Sequence, residues 1–155
     1  VKQAPANRYL YYLTPQGFSE KSRLTAGYFA HSFNFYRTAG HSCTVVLAAS
    51  KARGYRRIGF YGASELAEIA AMKAIELGLD LICVCDPGTE RTRFLNLAVL
   101  KHLESAQAVD AWLVTDLVDP LASSDLLRQH FGAERVFVPA VLGLNSVDEN
   151  RLDLT

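Results

Sequence analysis

The residues best suited to chemistry follow three apolar runs. The first run, Arg57-Ile58-Gly59-Phe60-Tyr61, leads into Gly62-Ala63-Ser64-Glu65-Leu66-Ala67. That segment keeps the first glycine of a G-x-G-x-x-G phosphate turn and places Ser64 and Ala67 at the second and third. Gly62 permits a tight turn, Ala67 lets a helix lie close to the strand, and Ser64 can cap the helix while its N–H groups face an anion. The Ser64 side chain occupies the position where a dinucleotide pyrophosphate presses on backbone, which counts against full NAD affinity. The second run ends at Asp86, 24 positions after Gly62, near the spacing of about 20 at which an acid accepts ribose hydroxyls. Asp86 reads equally as a turn residue before Pro87. Thr115-Asp116 follow the third run and point toward the same crevice, or simply form the approach to the next helix.

The binding candidates are therefore Gly62, Ala63, Ser64, Glu65, Asp86, Thr115 and Asp116. A phosphate is expected near the N–H groups of Ala63, Ser64 and Glu65, and a sugar hydroxyl near Asp86. Glu65 favours the helix dipole but sets a negative charge beside that phosphate. No catalytic residue is assigned. Tyr61 and Asp116 can approach the crevice, yet there is no Tyr-x-x-x-Lys pair after a strand end and no Ser/His/Asp order. No metal is expected, because His31, His41, His102 and His130 are scattered and neither CxxC nor HExxH spacing occurs.

The elements that must position these residues alternate strand, helix, strand. Ile58–Tyr61, Leu81–Cys85, Ala111–Val114 and Arg135–Val138 read as strands; Glu65–Leu77, stopped by Gly78, and Asp119–His130, capped at Asp119-Pro120, read as helices. Phe94–Leu100 is a weaker apolar segment and Lys101–Ala106 a short helix. A β-α-β crossover this short implies a right-handed parallel pair. The expectation is a small doubly wound parallel α/β domain over residues 57–140, with 141–155 as a tail.

Ahead of it, Thr14-Pro15 should start a helix. Leu24, Tyr28, Phe29, Phe33 and Tyr36 then recur at helical spacing, an aromatic stripe that must be covered by the following domain or by a second copy, the second copy being favoured. Gly40-His41-Ser42 could break or weaken the helix, which resumes through Cys43, Val46, Leu47 and Ala49. Residues 14–56 are thus a long linker and dimerisation helix, and residues 18–39 the homodimer surface.

Charge divides the chain sharply. Residues 1–57 carry nine Lys/Arg against the single acid Glu20, a net +8, and since the whole sums to zero the rest carries −8. A basic leader on an acidic domain suits one part meeting a polyanion while the other binds a small molecule; a basic helix docked on its own acidic domain explains the split as well. Lys51, Arg53, Arg56 and Arg57 cluster at a helix end, where cations complement the dipole. Cys43, Cys83 and Cys85 are odd in number, with the last two on one face of a strand, as in a reduced cytoplasmic protein. No apolar stretch approaches the roughly 20 residues of a membrane span. No signal peptide is evident. The opening at Val1 suggests a piece of a longer protein.

The segment Tyr9-Leu10-Tyr11-Tyr12-Leu13-Thr14-Pro15-Gln16-Gly17-Phe18-Ser19-Glu20-Lys21-Ser22-Arg23-Leu24-Thr25 resembles the end of the wing and the start of the exit helix in MarR-type winged-helix regulators associated with exopolysaccharide gene clusters. The resemblance covers residues 7–37. It implies a wing remnant over residues 1–13, with Lys2 and Arg8 contacting DNA phosphates. It also implies a dimerising exit helix, and DNA reading by an N-terminal region missing from this chain. Residues 57–140 are similar to small Rossmann-like domains of nucleotide-sugar-modifying and polysaccharide-biosynthesis proteins, and to CoA- or NAD-binding sensor domains. That likeness rests on Gly62–Ala67, Asp86 and Val114-Thr115-Asp116. It implies a ligand resembling NAD(H), CoA or a nucleotide sugar. The expected function is the ligand-sensing and dimerisation portion of a bacterial transcription regulator. The alternatives are a fragment of a nucleotide-sugar oxidoreductase or dehydratase, and a ligand-free dimerisation module.

Overall fold

The computed structural model describes residues 15–106 and 108–144, with side chains from residue 32 onward. It contains helix α1 (Pro15–Ala52), strand β1 (Arg57–Tyr61), helix α2 (Glu65–Glu76), strands β2 (Asp80–Cys85), β3 (Arg93–Phe94), β4 (Leu97–Leu100) and β5 (Ala111–Val114), helix α3 (Pro120–Phe131) and strand β6 (Val136–Phe137). The strands form one six-stranded sheet in the order β3-β4-β2-β1-β5-β6. All pairings are parallel except β3 with β4. This is the doubly wound, Rossmann-like α/β architecture expected from the strand-helix-strand pattern.

Strand alternation builds two cores. Ile58 and Phe60 of β1, Val84 of β2 and Ala111 and Leu113 of β5 face one side, where Ala39, Cys43 and Leu47 of α1 and Leu66, Ile69, Ala70 and Ala74 of α2 cover them. Tyr61, Cys83, Cys85, Trp112 and Val114 face the other, with Leu127 of α3 and Leu103. Helix α2 connects strands running one way along the sheet and α3 connects strands running the other way. With both crossovers right-handed, the two helices must lie on opposite faces. The three cysteines are buried and free. Burial pushes the Cys43 and Cys83 thiols up to about 11 and that of Cys85 to about 12, so they are protonated, inert groups of the core.

The caps follow the sequence closely. Ser64 accepts a hydrogen bond from the Ala67 N–H at the start of α2, and Asp119 accepts one from Ala122 at the start of α3, with Pro120 behind it. Gly78 turns the chain after α2 at φ +72°.

Three segments that the sequence left open take a definite form. The helix does not break at Gly40-His41-Ser42: α1 is continuous over 38 residues. Gly40 is buried against α2, where a Cβ would sit 3.0 Å from Lys73 Cε, so this glycine serves helix contact. Phe94–Leu100 is a hairpin of β3 and β4, turned by Leu95 and Asn96 at φ 53° and 61°. The short helix at Lys101–Ala106 is a single 3-10 turn, Leu103–Ser105.

Two compact units divide between Arg37 and Thr38, which groups the second half of α1 with the α/β domain. Val141 N–H donates to Ser42 Oγ at 2.8 Å and ties the end of the domain to that half. In the first unit, Phe33, Phe35 and Tyr36 are exposed. The side chains of Leu24, Tyr28 and Phe29, together with Thr14, Lys2, Arg8 and residues 145–155, lie outside the described residues.

Candidate functional site

The sheet reverses its strand order between β1 and β5, and the carboxyl ends of β1, β2 and β5 open there into one crevice. It is an open cleft of about 510 Å³ lined by Tyr61, Gly62 and Ala63 after β1, Asp86 to Thr89 after β2, and Asp116, Val118 and Ser123 after β5.

Gly62 is the hinge of this arrangement. Its N–H donates to Cys85 O at 2.9 Å, and its carbonyl accepts Thr115 Oγ1–H at 2.6 Å. Its φ is +122°, and a Cβ there would lie 2.4 Å from the Asp116 backbone nitrogen. The backbone ends of β1 and β5 therefore touch, and only glycine fits between them.

Asp86 joins two loops. Its Oδ2 accepts the Ala63 N–H at 2.8 Å and its Oδ1 accepts the Gly88 N–H at 2.9 Å. Asp116 likewise holds the approach to α3: Oδ1 accepts Val118 N–H at 3.0 Å, and Oδ2 accepts Asp119 N–H at 3.3 Å and Ser123 Oγ–H at 2.7 Å. Among the described residues no Lys or Arg lines the cleft and neither carboxylate forms an ion pair. The Tyr61 hydroxyl is pushed above its ordinary value, first by burial and then by Cys85, Asp116 and Asp86. Its phenol is thus a neutral hydrogen-bonding group, and among the described residues no Lys, Arg or His lines the cleft beside it.

Of the residues expected at the site, Gly62, Ala63, Asp86 and Asp116 converge on the cleft. Ser64 turns inward, donating to Thr115 O at 2.5 Å while it caps α2. Thr115 is fully buried, its hydroxyl committed to Gly62. Glu65 is exposed at the first position of α2, outside the lining. Lys2 and Arg8 fall outside the described residues. The phosphate expected at Ala63 meets an N–H already bonded to a carboxylate.

Sequence reasoning passed over Ser123 and Lys101. Ser123 was findable, as it lies in the first turn of α3, four residues after the cap Asp119. Lys101 carried no local signal. Its half-buried ammonium donates to the carbonyls of Thr89, Asp86 (3.4 Å) and Arg91 (3.1 Å), clamping the loop that forms one wall. Of the basic cluster at the end of α1, Lys51, Arg53 and Arg57 use their side chains in contacts within the domain. Lys51 Nζ donates to Leu77 O at 2.7 Å, Arg53 donates to Glu134 O and lies over the Phe137 ring, and Arg57 Nε donates to Ala108 O at 3.0 Å, while the backbone N–H groups of Arg56 and Arg57 both donate to Asp110.

Among the described residues no group of three or more His, Cys, Asp or Glu could hold a metal ion, and no helix is long and apolar enough to cross a membrane. No family model matches the chain, and no curated protein or solved structure shows significant similarity to it.

Proposed function

We propose that this chain is the ligand-sensing and dimerisation portion of a bacterial winged-helix transcription regulator, with a nucleotide-type ligand, resembling NAD(H), CoA or a nucleotide sugar, in the cleft at the strand-order reversal. The observation that carries this reading is the convergence of Gly62-Ala63, Asp86 and Asp116 on one open cleft at the carboxyl ends of three parallel strands. That is the place where doubly wound sheets take ligands. Support for sensing comes from the cleft's chemistry: two carboxylates engaged by backbone N–H groups, hydroxyls and backbone, with no Lys, Arg or His among the described lining residues.

A route for the signal lies within the domain. Helix α2 starts at the cleft, and its later residues meet Gly40 of α1 through Lys73 and Ile69. A ligand that shifts the start of α2 would load that contact and so bias α1. The exposed Phe35 and Tyr36 of α1 support its use as a dimer surface, since exposed aromatic residues grouped on one helix favour association. The test is footprinting of the full-length regulator on its upstream DNA with and without NAD, CoA and UDP-glucose. Protection that changes with one of these ligands is expected. Ligand-independent protection removes the sensing role, no protection removes the regulator reading, and turnover of UDP-glucose with NAD establishes the oxidoreductase alternative.

A further inference from the structure

The ligand classes named above all carry phosphates, and the cleft is poorly made to hold one. We infer that it binds the nucleoside portion of its ligand through hydroxyl groups and gains no affinity from the phosphates, an inference that rests on the sensing reading above. The hydrogen bonding, charge and shape of the cleft carry it.

The Ala63 N–H, first donor of the glycine turn, is already given to Asp86 Oδ2. A carboxylate of the protein itself thus occupies the position a phosphate oxygen would take. The Ser64 hydroxyl has one proton, and that proton goes to Thr115 O; toward the cleft it has no donor to offer.

Nearby cations are committed elsewhere. Lys101 is turned to the carbonyls of Asp86, Thr89 and Arg91, the Arg91 guanidinium lies over the Phe94 ring at 5.4 Å, and Arg93 donates to Asn96 O at 3.0 Å. The charged groups lining the cleft are the carboxylates of Asp86 and Asp116, which repel an anion in a partly enclosed, lower-dielectric space.

Those carboxylates nevertheless have capacity for neutral donors. An ionised carboxylate has about four acceptor positions. Asp86 uses two on backbone N–H groups, and Asp116 uses three on Val118, Asp119 and Ser123. Ribose hydroxyls can take the remainder. Pro87 and the almost fully exposed Val118 supply apolar edges for a base. The volume of about 510 Å³ falls within the few hundred to about 1,000 Å³ typical of small-molecule sites.

The experiment is calorimetric titration of the chain with two matched pairs, adenosine against ADP and uridine against UDP, at one pH and one salt concentration. In the pair that binds, the nucleoside is expected to bind as tightly as the diphosphate or more tightly, and added salt should improve diphosphate binding by screening the carboxylates. A diphosphate bound more than roughly threefold tighter than its nucleoside, or weakened by salt, overturns the inference and leaves the sensing reading standing. Absence of binding in both pairs overturns the two together.

Discussion

Gly62 matters through the side chain it lacks. Its placement was legible as a turn glycine after a strand, but its reason was not, because the neighbour it touches, Asp116, lies more than fifty residues on. Gly62→Ala should destabilise the domain by about 3 kcal/mol, combining positive-φ strain with overpacking against backbone. Urea unfolding checks this, and a midpoint equal to the parent's contradicts the close approach. A Gly62→Val variant would disturb the strand ends before it reported on any ligand.

Asp110 is a second residue whose role the sequence hid. Its carboxylate accepts the N–H groups of Arg57 and Arg56, and these two bonds hold its carboxyl below the ordinary value of 3.8. A depressed carboxyl contributes stability above the unfolded-state value and loses it as pH falls through the folded one. The melting temperature of Asp110→Asn should therefore lie below the parent's at neutral pH. The gap should narrow as pH falls below the ordinary carboxyl value and close once the depressed carboxyl of the folded state is protonated. A gap independent of pH would show that the charge has no part in the effect.

At the scale of elements, the parallel strands and the two cleft-side helices were readable because their signals are local: apolar runs of strand length, Ser64 and Asp119-Pro120 as caps, Gly78 as a stop. The β3–β4 hairpin was not, since Leu95 and Asn96 take left-handed conformations without a glycine to announce the turn. Gly40 misled for the complementary reason. In isolation it weakens a helix, whereas its use appears only when α2 is laid against it. The atom a new methyl group would meet is Lys73 Cε, near the end of a flexible side chain. Gly40→Ala should therefore raise stability by up to about 1 kcal/mol through helix propensity; a lower melting temperature would mean that Lys73 cannot yield. Lys101 tests the wall of the cleft. Lys101→Met should speed hydrogen exchange at the Gly88 and Arg91 amides, which close the loop on Asp86 and Thr89, while β1 amides stay protected. Unchanged exchange in the loop would remove the clamp.

For the whole molecule, the doubly wound order places one crevice where both halves of the sheet diverge, and the chain fills its rim with backbone-anchored carboxylates. The alternation of strand and helix segments made the fold class legible from sequence. The chemistry of the rim was only partly so, because residue types at the turns do not reveal that Asp86 already satisfies Ala63. The account stands on the cleft being a binding site, and NMR amide-shift mapping of the chain titrated with adenosine, uridine, NAD, CoA and UDP-glucose tests that most directly. The account predicts that at least one of them shifts the amides of Ala63, Gly88, Thr89 and Val118 together, saturably, with the β6 amides unmoved. No saturable shift at those four amides with any of the five, or shifts confined to residues away from them, would contradict it.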